Sequence, residues 1–233
     1  MVEKKIKDSQ LGEITLRKNI RSKRYSIRIR DGKIIATIPR NGTEQNMLTF
    51  INEQRRKLIM MLQKSPKRTL LDENTDLQTL TFRLHIFRTS RTNFYTALKD
   101  RILHIACPEN TDFSNDSVQQ KLQFILQESL RKEATRFIPT RLEELSRLYK
   151  FSFDKVTIRN SKTRWGSCTS KKNISISLSL MHLPIHLVDY VLLHELCHTV
   201  EMNHGEHFWQ LMDKVTDGRA KAYRRELRNY RMP

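Results

Sequence analysis

Residues 194–204 read His-Glu-Leu-Cys-His-Thr-Val-Glu-Met-Asn-His. His194 and His198 are four positions apart, so a helix places both imidazoles on one face, where they can bind one metal ion. Glu195 follows directly, rotated by roughly 100° from His194, where its carboxylate can reach a water molecule on that metal. Three protein ligands and one open position are typical of a catalytic zinc site, whereas a structural zinc site has four ligands. The stretch therefore predicts a zinc-dependent hydrolase and favours a peptidase.

Two histidines further along the chain compete for the role of third ligand. His204 stands between Asn203 and Gly205, and both residue types adopt backbone conformations that end a helix and turn the chain back. His207 instead precedes two aromatic residues, a pattern typical of side chains that pack at the start of another helix. Helix-ending chemistry therefore favours His204 over His207 as the third zinc ligand.

The predicted helix that carries the first two histidines is apolar on most of its surface, which is typical of a buried helix. Its apolar residues are Leu187, Val188, Val191, Leu192, Leu193 and Leu196. Pro184 suits the first position of such a helix. Polar side chains next to this surface are costly unless they find partners, and metal binding would satisfy them. A chance occurrence of the motif in a solvated helix explains these features less well.

Composition is that of a globular protein with a highly charged surface. Of 233 residues, 38% are hydrophobic and 29% are charged. No run approaches the roughly 18 apolar residues that span a bilayer, so no membrane partner is expected. The first residues lack the apolar core of a secretory signal. The three cysteines, Cys107, Cys168 and Cys197, are odd in number and widely spaced, so we expect a reducing, cytoplasmic location rather than a disulfide framework.

Hydrophobic periodicity predicts an α+β fold with two parts. Residues 1–110 form the predicted β-rich N-terminal region, with strands over 12–38 that include a hairpin turning at Asp31-Gly32, one helix from Thr43 to about Lys64, and three strands over 79–106. Residues 111–233 form the predicted metallohydrolase domain. It has a long helix over about 114–150, strands at 156–158 and 174–178, the metal-site helix, and helices near 205–215 and 218–230. Pro139 predicts a kink or a split in the long helix.

Three groups of residues together resemble a known family. They are Lys162-Thr163-Arg164-Trp165-Gly166-Ser167-Cys168, then His194-Glu195-Leu196-Cys197-His198, then Asn203-His204-Gly205 with Phe208-Trp209. This combination is similar to the YgjP-like predicted metal-dependent hydrolases, which belong to a wider zincin set that includes the Wss/SprT-like proteases. The likeness spans most of the chain, although the family usually has serine where Gly205 stands.

The resemblance implies a minimal zincin fold in which the active-site helix lies under a short sheet. It also implies that His194, His198 and His204 are zinc ligands and that Glu195 is the general base. It does not give a substrate; the peptidase interpretation of the zinc site leads us to expect a peptide or protein.

Several neighbouring residues have roles that the motif alone does not determine. Arg164 suits either an oxyanion stabiliser or a partner for a local carboxylate, and the sequence does not separate these. Trp165 is expected to pack under the metal-site helix, and Cys197 is expected to point away from the ligands. Residues 173–179 are interpreted as an edge strand that binds an extended peptide by strand addition.

The net charge of +18 and the pI near 10.1 suit a nucleic-acid partner. One basic cluster comprises Arg17, Lys18, Arg21, Lys23, Arg24, Arg28 and Arg30, and a second comprises Arg219, Lys221, Arg224, Arg225, Arg228 and Arg231. Either cluster is also explained as a solvated surface. The alternative function is therefore a basic nucleic-acid-binding protein whose zinc site is structural or inactive. Glu195 favours the enzyme, because a purely structural site does not need this carboxylate.

Overall fold

The structure, a computed structural model, describes residues 3–30, 32–64 and 70–232, with Arg30 and Lys64 described by their backbone alone. The chain divides into two compact units, residues 1–69 and 70–233. This division differs from the predicted boundary at residue 110. The strands between residues 83 and 108 share one hydrophobic core with the helices that follow. Ile105 of these strands and Phe82 just before them belong to the same cluster as Leu142 and Leu192.

The described residues of the first unit form a four-stranded sheet and two helices. Its elements are β1 (Glu3–Asp8), β2 (Gly12–Asn19), β3 (Ser26–Arg30), β4 (Lys33–Pro39), α1 (Glu44–Glu53) and α2 (Arg55–Lys64). The strand order is β1-β2-β4-β3, with β2 and β4 parallel. The antiparallel pairing of β3 with β4 confirms the predicted hairpin, although Asp31 of its turn lies outside the described residues. The single predicted helix is interrupted at Gln54, which caps α1.

One face of this sheet is apolar and forms the core of the first unit. Ile14, Leu16, Ile34 and Ala36 alternate with more exposed residues along β2 and β4, as the two-residue period of a strand requires. Met47 and other apolar residues of the two helices belong to the same cluster. Strand β1 was not predicted, because its sequence is almost entirely charged and polar and gives no apolar alternation.

Over residues 70–232, the second unit has two three-stranded sheets and four α-helices. Its elements are β5 (Arg83–Thr89), β6 (Tyr95–Lys99), β7 (Ile102–Pro108), α3 (Asp116–Leu148), β8 (Lys155–Arg159), β9 (Gly166–Cys168), β10 (Asn173–Ser177), a 3-10 helix (Leu178–His182), α4 (Ile185–Cys197), α5 (Glu206–Val215) and α6 (Ala220–Leu227). One sheet has the order β5-β7-β6 and the other β8-β10-β9. The predicted strands and helices of this region are therefore present, and the α+β class is confirmed.

Strand β10 is central in its sheet, so the prediction that residues 173–179 form an edge strand is wrong. It pairs with β8 in parallel on one side and with β9 in antiparallel on the other. Its short apolar run did not reveal the three-residue partner β9, because a strand that short gives no periodic pattern. The edges of this sheet are β8 and β9.

Helix α3 continues through Pro139 as one element of 33 residues, so the predicted split does not occur. A proline leaves the carbonyl four positions earlier without its helical partner. That carbonyl belongs to Thr135, an exposed residue, where water can replace the missing donor.

Helix α4 is the most deeply buried helix of the metal-site region. Leu187, Val188, Leu192 and Leu196 are each 0% exposed, and burying such side chains contributes about 1.5–3 kcal/mol each. The helix contacts β9, the edge strand that lies beside it, which confirms the predicted arrangement of an active-site helix next to a short sheet. Its first residue is Ile185, since Pro184 occupies the N-cap position rather than the first helical position.

A bidentate ion pair connects α4 to α3. Arg141 donates from Nε and Nη2 to the two carboxylate oxygens of Asp189 at 2.8 and 2.7 Å, and its Nη1 donates to Glu144. Asp189 precedes the first histidine of the motif by five residues on the same helix. The pair therefore helps to fix the helix that carries the candidate ligands.

Within the described parts of the chain, none of the helices combines the length and the apolar character that crossing a membrane requires.

We predict that Arg141→Ala lowers the free energy of unfolding of the second unit by about 1–3 kcal/mol, because Asp189 loses a charge-assisted bidentate partner. Both tryptophans, Trp165 and Trp209, lie in this unit, so urea denaturation followed by tryptophan fluorescence reports on it. Arg147→Ala is the matched control. It breaks an exposed ion pair with Glu143 and should cost less than about 0.5 kcal/mol. Equal losses in the two variants would contradict the prediction.

Candidate metal centre

The candidate ligands lie where α4 ends. His194 occupies its last turn, and His198 is its C-cap residue. After the cap, Thr199 N–H and Glu201 N–H donate to Leu196 and Cys197 carbonyls at 2.9 Å and close the helix. The chain then turns back toward α4 before α5 begins at Glu206.

Three imidazole nitrogens converge at this point. Nε2 of His194 lies 3.2 Å from Nε2 of His198 and 3.0 Å from Nε2 of His204. Four ligands at about 2.0–2.1 Å in a tetrahedron around zinc are separated by about 3.3 Å. Both distances from His194 are close to this value, and the ligand atoms of the three histidines all lie within 4.8 Å of one another, so the group can hold a single small metal ion. Among the described residues, no other group of three His, Cys, Asp or Glu ligand atoms is gathered in this way.

His207, the rival third ligand, is an exposed residue of α5 and does not join this group. His204 stands in the loop between α4 and α5, next to Gly205, whose backbone is extended. The structure thus brings together the three histidines that the motif and the loop chemistry favoured.

Phe208 supports all three imidazoles, a role that the sequence did not reveal. Its ring centroid lies 4.9 Å from that of His194, 4.6 Å from that of His198 and 4.7 Å from that of His204. The side chain is 0% exposed. The only signal in the sequence was an aromatic residue one helical turn after His204, which also fits ordinary packing. Phe208 therefore restricts the positions that the three rings can take.

Burial favours, for two of the three histidines, the neutral form that metal binding requires. Burial, reinforced by the charges that His198 and His204 would carry, lowers the pKa of His194 to about 3. Burial also lowers the pKa of His198. Nδ1 of His198 lies 3.0 Å from the carbonyl oxygen of Glu201, so a proton on Nδ1 leaves the Nε2 lone pair directed at the cluster.

Glu195 is a buried carboxyl group beside this cluster. It is 5% exposed, and its Oε2 atom has no hydrogen-bond partner among the described residues. Burial raises the pKa of Glu195 to about 8, and the nearby Arg164 guanidinium opposes this shift only partly. A buried polar atom without a partner is uncommon in proteins and is typical of a site that binds something. The arrangement thus fits a group that interacts with a metal-bound ligand.

Gly166 makes room for this carboxyl group. A Cβ atom at this position would lie 2.5 Å from Oε1 and 2.7 Å from Cγ of Glu195. No side chain larger than hydrogen fits at that distance. The first residue of β9 and the glutamate of α4 are therefore in direct contact, which explains the glycine of the Trp-Gly-Ser segment.

These residues line an open cleft of about 370 Å³. Its lining consists of Arg164, Gly166, Ser167, Cys168, His194, Glu195, His198, Met202 and His204. One wall is thus β9 together with the exposed Arg164, and the other is the end of α4 with the loop that follows. The cleft gives a substrate access to the three histidines.

The remaining residues near the motif have structural positions. Trp165 is half-buried against the hydrophobic core, and its carbonyl accepts from Ser177 N–H at 2.8 Å. Cys197 is fully buried away from the cluster, and burial raises the pKa of its thiol to about 12. Arg164 has no carboxylate partner among the described residues. Its charge instead acts on the nearby carboxyl group of Glu195, whose pKa it lowers against the effect of burial.

We predict that Glu195→Gln stabilises the metal-free protein increasingly as pH rises. The folded-state pKa of Glu195, about 8, lies above its ordinary value of 4.5, so wild-type stability is complete below pH 4.5 and falls as pH increases toward 8. Glutamine does not titrate, so the difference in melting temperature between variant and wild type should grow between these pH values. Melting curves of the EDTA-treated proteins provide the measurement, and a difference that is independent of pH would contradict the assignment.

Residues 23–230 match the family model described as YgjP-like, metallopeptidase domain. Among solved structures, the chain is similar to the metallopeptidase zymogen abylysin of Pyrococcus abyssi. The sequence identity is 24% and the TM-score is 0.36, over 40% of this chain and 94% of that chain. No curated protein matches this sequence. Because the family model spans almost the entire sequence, the chain belongs to the YgjP-like metallopeptidase family.

Proposed function

We propose that the chain is a zinc-dependent peptidase in which His194, His198 and His204 hold the metal and Glu195 is the general base. One observation carries this function: three Nε2 atoms converge beside a buried carboxyl oxygen that has no partner among the described residues. Membership in a metallopeptidase family supports a peptide or protein as the substrate.

Zinc fits the donor set better than metals that prefer oxygen ligands. Three neutral imidazoles in a compact group, with an open cleft on the remaining side, correspond to the ligand number of catalytic zinc sites. Imidazole also suits nickel, cobalt and iron. Metal content measured on the purified protein therefore distinguishes zinc from these metals.

When bound, zinc polarises the scissile carbonyl group and lowers the pKa of a water molecule. Glu195 accepts the proton of the attacking water, holds it on its carboxyl group and then donates it to the leaving amine. Burial favours the protonated form of Glu195, whereas a nearby cation favours the ionised form. These opposing influences suit a group that must both accept and release a proton near neutral pH.

Strand β9 is positioned to align an extended substrate. It pairs only with β10, in the register Gly166–Ile176, Ser167–Ser175 and Cys168–Ile174, so its other edge is free of strand partners among the described residues. A peptide that adds to this edge would lie along the cleft and beside Glu195. Strand addition uses backbone hydrogen bonds, which gives affinity with little dependence on the side chains of the substrate.

The alternative function, a nucleic-acid-binding protein with a structural zinc site, is less well supported at this centre. A structural site is closed by four protein ligands, whereas the three histidines face an open cleft. In a structural site Glu195 would also have no function, although burying its carboxyl group costs free energy.

We predict about one zinc ion per chain in the wild-type protein, measured by plasma mass spectrometry on untagged material. The content should fall to near zero in His198→Ala and His204→Ala, because each removes one of three ligands. His207→Ala is the matched control and should keep its zinc. Loss of zinc in His207→Ala with retention in His204→Ala would move the third ligand to His207. A wild-type protein that takes up no metal from micromolar zinc would overturn the proposal.

We predict that Glu195→Gln retains zinc but lowers turnover of a quenched fluorescent peptide library by at least about 100-fold, the contribution typical of a general base. Inhibition of the wild type by 1,10-phenanthroline, reversed by added zinc, would show that the cleavage depends on the metal, and its loss in Glu195→Gln would assign it to this protein. Undiminished cleavage by Glu195→Gln would exclude its role as the base.

We predict that Gly166→Ala lowers kcat/KM for the same peptides by about 100-fold with zinc content unchanged, because a displacement of roughly 1 Å at a catalytic group has an effect of this size. The added Cβ would collide with Glu195 and displace it. Gly205→Ala is the control, since its Cβ would meet nothing within 4 Å. An active Gly166→Ala variant would show that the position of Glu195 is not critical.

A further inference from the structure

The positive charge of the chain is concentrated in its first 69 residues. They contain 18 Lys and Arg against 6 Asp and Glu, a net charge of +12 out of +18 for the whole chain. The rest of the chain, which holds the metal centre, carries 25 basic and 19 acidic side chains. A net charge of about 2–8 is sufficient to keep a small domain soluble. The excess indicates that the first unit attracts a polyanion.

Five exposed cations of this unit gather at one end of its sheet. Strands β2 and β4 are parallel neighbours, so the turns that follow them lie at the same end. Ser22 N–H donates to the Asn19 carbonyl, and Gly42 N–H donates to the Pro39 carbonyl, each at 3.0 Å, which closes the two turns. The cations on or beside these turns are Lys18, Arg21, Lys23, Arg24 and Arg40. We call these five residues the basic end.

The carboxylates nearest to this end of the sheet already have cationic partners. Glu44 pairs with Lys4 at 2.7 Å, and Glu3 pairs with Arg17 at 2.8 Å. Within the described ranges, no carboxylate pairs with any residue of the basic end. The five cations therefore repel one another without local compensation, and an incoming anion would relieve that repulsion.

Close contacts hold the two turns together. The hydroxyl of Tyr25 accepts a hydrogen bond from Thr43 N–H at 2.9 Å, and its ring packs 6.4 Å from that of Phe50. A Cβ atom on Gly42 would lie 2.6 Å from the same hydroxyl, so this approach requires glycine. The cations thus project from turns whose backbones are fixed relative to each other, which reduces the entropic cost of binding a ligand.

An open depression of about 380 Å³ lies between the turns. Lys23 and Arg40 line it together with Tyr25, and Ser22 and Asn41 add a hydroxyl and an amide. Cations suit phosphate groups, while an aromatic ring, a hydroxyl and an amide suit a base and a sugar. The depression therefore combines the contacts that one nucleotide offers.

We propose that the basic end binds single-stranded nucleic acid, with its cations on the phosphates and one base at the depression. Three of the five cations are arginines, whose guanidinium groups bind phosphate oxygens in pairs. The bases of a single strand are free to enter a depression, whereas those of a duplex are not. An anionic membrane fits less well, because Ile20 is the one large apolar residue exposed in the two turns.

The test uses the full-length chain and fluorescence anisotropy with labelled 20-nucleotide single strands of RNA and of DNA, at 50–200 mM salt. The variant Lys23→Gln/Arg24→Gln/Arg40→Gln removes three charges from the basic end. Its affinity should fall at least about tenfold. The slope of log K against log salt should decrease by about 2, since each lost phosphate contact on a single strand accounts for about 0.7.

The control variant Arg28→Gln/Arg56→Gln/Lys57→Gln removes the same numbers of exposed arginines and lysines from the same unit. It should bind nearly as the wild type does. Equal losses of affinity in the two variants would overturn the site, because binding would then depend on total charge alone.

A duplex that binds as tightly as the single strand would also contradict the proposal. So would phosphatidylserine vesicles that bind more tightly than either strand and lose binding in the first variant. Glu195→Gln should bind as the wild type does, which separates this proposal from the peptidase.

Discussion

The burial of helix α4 is the constraint on which the metal-site unit depends. Its apolar residues are excluded from water on nearly every side, so its polar residues need partners where the helix reaches the surface, and those of the motif lie together at one place. That place is its carboxyl end, where two histidines of the helix meet a third from the loop and where Glu195 is pressed against Gly166. The bidentate pair between Arg141 and Asp189 fixes the same helix from its other side. A buried helix with a polar end is thus both the centre of the core and the base of the cleft.

Much of this arrangement could be predicted from sequence because it depends on local geometry. A spacing of four residues determines that two histidines share a helix face. Asn203 and Gly205 indicate a chain reversal that brings His204 back. The helices and most strands were predicted for the same reason, since the 3.6- and two-residue periods are visible in the residues themselves.

The features that sequence did not reveal depend on contacts between distant segments. Nothing within β9 indicates that Gly166 touches Glu195, or that Phe208 supports three imidazoles at once. The edge position was assigned to β10 because its partner β9 is too short to give a pattern. The boundary at residue 110 was predicted from the change from strands to helices along the sequence. The two compact units of the structure are instead defined by the residues that share a hydrophobic core. The sequence pattern therefore identified the candidate site residues, whereas contacts between distant segments determine which residues hold them in place.

The missing side chain of Gly166 has one more consequence. The residue that touches Glu195 is also the first residue of an edge strand, and glycine has more conformational freedom to lose than any other residue. Gly166 is paired with Ile176 of β10 on one side, yet as a glycine it has a wider range of allowed backbone conformations than its neighbours Trp165 and Ser167. A peptide that pairs with β9 would restrict this backbone, and the lost entropy would lower its affinity. In return, the carboxyl group of Glu195 would be held in a better defined position.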